Sequence, residues 1–192
     1  FHCELLDDQF NLYRETLQKT QKQIVDELKD DKNPVPYIHV FAILSQLKQI
    51  CDHPAVYHKD PENYENYQSG KWNLFIELLS EARESQQKVV VFSQYLLMLD
   101  IIEKYLKENN IEYSTIRGST LKRGDEIQRF NNDPNCEVFV GSLQATGLGI
   151  DLTAASVVIH YDRWWNAARE DQATDRVHRI GQKRGVQVFK LV

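Results

Sequence analysis

Long apolar runs are missing from this sequence of 192 residues. No window holds the roughly 18 uninterrupted apolar residues that a membrane-spanning helix needs, so no membrane partner is expected. Cysteine is scarce. Cys3, Cys51 and Cys136 are odd in number, far apart and free of any CxxC pair, which argues against a disulfide framework or a zinc site and fits a reducing compartment. Cys51-Asp52-His53 places potential ligands side by side but lacks a second pair, and reads as structural, with no metal site. The first residues, FHCELLDDQ, have neither a basic n-region nor an apolar h-region; they form no signal peptide and read as a start inside a longer polypeptide. Three catalytic signatures are also missing: GxSxG, HExxH and the phosphate loop GxxxxGK[ST]. Excess positive charge is missing too. The formal net charge of −5 argues against a uniformly basic nucleic-acid binder.

What is present is an ordinary globular composition, 42% hydrophobic and 27% charged. Charge is unevenly spread. Between Arg163 and Lys190 seven basic residues face only three acids, and a concentrated positive field can recruit phosphate even on an acidic protein. From Asp7 to about Cys51 apolar residues recur at helical spacing, first at Phe10, Tyr13, Leu17, Ile24 and Leu28, then at Tyr37, Val40, Phe41, Leu44, Leu47 and Cys51. With Pro34 and Pro36 between the two stripes, this predicts a helical hairpin. Residues 52–69 read as a loop. From Gly70 the rhythm becomes helix–strand alternation. Strands are predicted at 88–93, 113–117, 137–141, 156–161 and 186–191. Helices are predicted around Leu74–Ala82 and Leu96–Leu106 (Leu96, Leu99, Ile102 and Leu106 facing inward), at 121–131 and at 166–178. Short, continuous apolar runs such as Val89-Val90-Val91-Phe92 suit parallel strands buried on both faces. The expected fold is therefore α/β: an open, mostly parallel sheet flanked by helices (residues 70–192), preceded by the helical protrusion and its connecting loop (1–69).

Ligands of such sheets bind at the carboxyl ends of the strands. Three consecutive strands end in small residues: Ser93-Gln94, then Gly118-Ser119-Thr120, then Gly141-Ser142 with Ala145-Thr146-Gly147-Leu148-Gly149 beyond. Backbone N–H groups in such loops can approach phosphate oxygens closely; the same residues also serve in ordinary turns. In the predicted helix at 166–178, Gln172, Arg176 and Arg179 are spaced four and three apart and share one face. An amide and two guanidiniums so arranged suit the charge of a transferring phosphoryl group. Surface ion pairs with Asp171 or Asp175 are the alternative. Trp164 and Trp165 stand between a strand and a helix, one suited to the core and the other to a nucleic acid or a partner; the alternative is that both brace the domain.

These motifs resemble, in the right order, the C-terminal lobe of the Swi/Snf ATPases within helicase superfamily two. HYDRWWNAAREDQATDRVHRIGQ (160–182) is similar to motif six with its preceding tryptophan signature, GSLQATGLGIDLTAA (141–155) to motif five, and KVVVFSQY (88–95) to motif four. RGSTLKRGDEIQRFN (117–131) resembles the motif after that, and QLKQICDHPAVY (46–57) the end of the helical protrusion. The resemblance implies a RecA-like lobe that lacks its own phosphate loop and works with an N-terminal RecA-like lobe of the same protein, which binds ATP with Mg2+. By position, Arg176 and Arg179 correspond to arginine fingers and Gln172 to the glutamine near the γ-phosphate. Gly147, Gly149 and Asp151 correspond to residues lining the nucleotide cleft. Ser93, Gln94, Gly118, Ser119, Ser142 and Trp165 correspond to contacts with DNA. Departures include Ala167, Gln144, Asp151 and Arg117, where proline, a basic residue, asparagine and aspartate are common; the spacing from Thr120 to Arg123 is closer to bacterial or archaeal members.

The implied function is ATP-driven translocation on double-stranded DNA, moving some DNA-bound protein complex in the manner of chromatin remodelling. The implied location is cytoplasmic, at the nucleoid, in a prokaryote, or nuclear in a eukaryote. The isolated chain is expected to be inactive. Two other readings remain: a non-catalytic module binding nucleic acid or protein, and a lobe of a strand-separating helicase.

Overall fold

The computed structural model describes residues 1–28, 37–142, 150–164, 167–175, 177 and 185–192. The described chain divides into two compact units, Glu4–Trp72 and a larger one made of Phe1–Cys3 with Asn73–Val192. Among the described residues, no helix is long and apolar enough to cross a membrane.

The smaller unit contains α1 (Asp7–Leu28), α2 (Tyr37–Asp52), α3 (Pro54–His58) and a 3-10 turn at Pro61–Asn66. The apolar spacing of α1 does not mark its buried face: Phe10 and Leu17 are 51% and 42% exposed, whereas Gln9, Thr16 and Thr20 are buried. Gln9 explains the choice. Its amide donates to the carbonyls of Ile50 (2.7 Å) and Cys51 (3.2 Å) near the end of α2, and its Oε1 accepts from the N–H of Gly70 (3.3 Å). One side chain thus satisfies backbone groups that helix termini leave open. Gly70 is sterically required, since a Cβ there would lie 2.0 Å from the carbonyl oxygen of Glu4.

Residues 52–69, expected as a loop, instead hold α3 and the 3-10 turn. His53 caps α3, its Nδ1 accepting from the N–H of Ala55 at 3.2 Å, and Pro54 occupies the first turn, where its missing N–H matters least. His53 also packs edge-on against Tyr64 and Trp72. Asp52 forms a buried ion pair with Lys71 at 2.8 Å. The Asp52 and His53 side chains are therefore committed to the fold.

The larger unit is a five-stranded sheet, all parallel, in the order β2-β3-β1-β4-β5. Its strands are β1 (Val89–Ser93), β2 (Tyr113–Ile116), β3 (Val138–Ser142), β4 (Val157–His160) and β5 (Gln187–Lys190). The helices are α4 (Gly70–Glu84), whose first turn spans the unit boundary, α5 (Leu96–Glu108), α6 (Arg123–Asn132) and α7 (Ala167–Thr174). The central strands β1 and β3 are buried at every position, as their unbroken apolar runs require. Phe92, Phe130, Phe139, Val158 and Leu152 form the core. Leu96 departs from its expected inward position: it is 56% exposed, and α5 buries Met98, Leu99, Ile101, Ile102 and Leu106 instead.

Candidate functional site

Parallel strands place all their carboxyl ends on one edge, and the register aligns them. Ser93 pairs with Ser142 and Ile116 with Gly141. Arg117, the residue after β2, therefore sits level with Ser142 and Ser93, with adjacent strands about 4.8 Å apart. The rim of the sheet so brings together the ends of β2, β3 and β1, and the His160-Tyr161-Asp162 end of β4.

Asp162 locks this rim. Its buried carboxylate accepts the hydroxyl of Ser93 and the backbone N–H of Gln94 at 3.1 and 3.2 Å. The Gln94 amide in turn donates to the carbonyl of Arg163 at 3.3 Å. Ser93 is thus not displayed at the surface: its side chain is fully buried and its hydroxyl serves Asp162. Ser142 is buried as well, and Gln94 is partly buried. Asp162→Ala would leave buried donors without their acceptor, at about 1–3 kcal/mol. Urea unfolding should register that loss, with Asp162→Asn closer to the parent; an alanine variant of unchanged stability would contradict the lock.

The β2–α6 loop is stapled from below. The Arg117 guanidinium meets Asp100 at 2.6 Å and Glu103 at 2.8 Å, both on α5. The Arg117 backbone N–H donates to the Thr120 hydroxyl at 2.9 Å. Arg123 reaches back to the carbonyl of Gly118 at 3.2 Å. An arginine at position 117 is therefore matched by two acids on the neighbouring helix, and Gly118 and Ser119 stand exposed on a braced loop. The space a Cβ would take at Gly118 is open to 4 Å. Asp151 is exposed at the surface, where its carboxylate accepts from the N–H of Thr153 at 3.3 Å.

Helix α7 is held by charge. Glu170 is fully buried. Its Oε1 accepts from Arg163 Nε at 2.9 Å and from the backbone N–H of Trp164 at 2.7 Å, and its Oε2 meets Lys190 of β5 at 3.3 Å. Burial works against the charged form, but these three donors outweigh it and hold the carboxyl below its ordinary pKa. A second pin lies one turn on. The Thr174 hydroxyl donates to the carbonyl of Glu170 (3.1 Å) and stands 2.9 Å from His160 Nε2. Since that hydroxyl proton is used, His160 must donate, as the neutral Nε2–H tautomer. Burial accordingly lowers the His160 pKa to about 4.

Gln172 lies on the exposed side of α7. Asp171 meets Lys190 at 3.3 Å; its pairing with the arginines that follow lies outside the described residues. Trp164 packs against the core. Trp165, Gly147, Gly149, Arg176 and Arg179 lie outside the described residues, as does Gln144. Asp162 and Glu170 organise the rim without any local signature in the sequence; the only trace of the latter is its place in the basic stretch after Arg163.

An all-parallel five-stranded sheet flanked by helices, in a sequence without a phosphate loop, has the architecture of a RecA-like lobe. Residues 70–181 match the family described as helicase conserved C-terminal domain, and the chain belongs to that family, in its SWI/SNF branch. It is 36% identical over 183 residues to an uncharacterized ATP-dependent helicase of Mycoplasma pneumoniae, covering 94% of this chain and 17% of that protein. It is 40% identical over 161 residues to the ISWI chromatin-remodeling complex ATPase ISW1 of Saccharomyces cerevisiae, covering 78% of this chain and 14% of that protein. Among solved structures, the Sulfolobus solfataricus SWI2/SNF2 ATPase core in complex with dsDNA superposes with a TM-score of 0.78 at 35% identity, over 100% of this chain and 39% of that one. The chain spans about a sixth of the length of the curated relatives it matches.

Proposed function

We propose that this chain is the second RecA-like lobe of an ATP-driven translocase on double-stranded DNA. The observation that carries the reading is the aligned rim. The ends of β1, β2 and β3 share one edge, the exposed Gly118-Ser119 loop is braced by Arg117, and α7 turns Gln172 outward. The relatives' ATP-dependent activity and the dsDNA of a similar structure support it.

ATP, with Mg2+, binds on the first lobe. Arg176 and Arg179 approach its phosphates from this lobe, with Gln172 beside them. Gly147, Gly149 and Asp151 line the cleft between the lobes. Closure is favoured while the γ-phosphate offers charge to the guanidiniums, and hydrolysis removes that attraction. Gln94, Gly118, Ser119 and Trp165, beside the buried strand ends at Ser93 and Ser142, hold a DNA strand by its backbone, so the two lobes grip phosphates alternately as the cleft opens and shuts. The DNA-bound complex that this motion displaces is the motor's cargo.

The test is performed on the full-length protein. Duplex DNA should stimulate ATP turnover and the protein should displace a triplex-forming third strand, without unwinding a forked duplex. The isolated chain should not turn over ATP. Efficient fork unwinding would instead make it a strand-separating helicase, and no DNA-stimulated turnover would make it a binding module.

A further inference from the structure

Glu170 has no place in the mechanism above, yet its carboxylate is fully buried and bonded by three donors. Its carboxylate joins three elements: the β4–α7 connection through Arg163 and the N–H of Trp164, α7 itself, and β5 through Lys190. Such a buried charge is a poor way to gain stability, because desolvation offsets most of the attraction and an apolar side chain of similar size often does as well. What an ion cluster supplies is one orientation. At about 100° per residue, Glu170, Ala173 and Thr174 occupy one side of α7, and all three are tied inward: Glu170 and Ala173 by burial, Thr174 by its bonds to His160 and to the Glu170 carbonyl. Gln172 is about 160° away from Glu170 on the same wheel and is exposed.

We propose that Glu170 is a positioning residue for ATP turnover: it fixes the rotation of α7 so that Gln172 faces the nucleotide on the partner lobe. This inference rests on the motor reading. Glu170 touches no substrate; it acts through the helix. Arg163 and Lys190 each keep a solvent-exposed share of their side chains, 40% and 31%, so removing the carboxylate allows both to rehydrate. The fold therefore survives while the rotational restraint is lost. In Glu170→Gln the amide oxygen can still take the Trp164 N–H, but the amide NH2 confronts a cation.

The experiment measures DNA-stimulated ATP turnover in the full-length protein, with the melting temperature of each variant. A displacement of reacting groups by about 1 Å is worth roughly 10²-fold in rate. Glu170→Gln should therefore lower kcat by about that factor, with KM for ATP nearly unchanged. In a Gln172→Ala background the same substitution should have a much smaller effect, because the group being positioned is gone. A purely structural role gives the same fold loss in both backgrounds and would overturn the proposal, as would a kcat within threefold of the parent. Should Glu170→Gln fail to fold, Thr174→Val decides. It removes the second pin at nearly constant volume, and must lower kcat with KM held; unchanged kcat overturns the proposal. Alanine at Arg176 or Arg179 separates the two levels. If those variants are inactive and Glu170→Gln is not, the motor reading stands and only this inference falls. If they stay active, both fall.

Discussion

Alanine at Arg176 or at Arg179 in the full-length protein is expected to reduce DNA-stimulated ATP turnover by roughly 10³- to 10⁵-fold, the usual worth of an arginine finger. The argument is electrostatic. Phosphoryl transfer spreads negative charge over the equatorial oxygens and needs little covalent help, so a guanidinium aimed at those oxygens lowers the barrier directly. Lysine in the same place should rescue poorly, because a point charge lacks the planar fork of donors. Affinity for duplex DNA should change little, since the backbone grip is assigned to the strand-end loops. Steady-state turnover with saturating DNA, alongside DNA binding at fixed salt, checks both halves. Near-normal turnover in both variants would remove the central element of the mechanism.

Acid should destabilise the fold well above the carboxylate range. His53 and His160 are each fully buried, and burial lowers each pKa from 6.5 to about 4. Between those values the unfolded chain binds a proton that the folded chain refuses, so stability is fully present above about pH 6.5 and falls as pH falls towards 4. Each histidine accounts for about 3 kcal/mol over the full interval, of which about 2 has gone by pH 5. Asp52 opposes this in the smaller unit, because burial raises its pKa and acid favours its folded form. His160 is therefore the cleaner reporter. Glu170 has the depressed carboxyl and the opposite window: its contribution is lost only below its ordinary pKa of 4.5. Urea unfolding at pH 7 and pH 5, monitored by near-ultraviolet circular dichroism, should show the loss. His160→Gln, which keeps a donor for Thr174 but does not titrate, should flatten the dependence. Equal stability of the parent at both values would contradict the buried-neutral assignment.

The strands were legible because burial on both faces leaves a mark that no folding information is needed to read: Val89 to Phe92 and Val138 to Val140 are simply apolar without alternation. The rim was legible for a related reason, since small residues after consecutive strands can only gather on one edge of a parallel sheet. Periodicity misled where polar side chains do the packing. On α1 the apolar stripe pointed to Phe10 and Leu17, but Gln9 turns inward because it closes the exposed ends of two helices at once. The helical turns in residues 52–69 were hidden because a histidine cap and an aromatic cluster, not apolar spacing, hold them. Asp162 and Glu170 escaped notice for the most general reason. Asp162 meets Ser93 from 69 positions away, and Glu170 meets Lys190 of β5 from 20 positions away. Nothing local in a sequence announces such a partner.

One experiment bears on the whole account: a structure of the full-length protein closed around a non-hydrolysable ATP analogue and duplex DNA. It should place guanidinium nitrogens of Arg176 and Arg179 within about 3 Å of phosphate oxygens held by the first lobe. Finding either arginine paired instead with acids of its own lobe, while the phosphates are met by other residues, would contradict it.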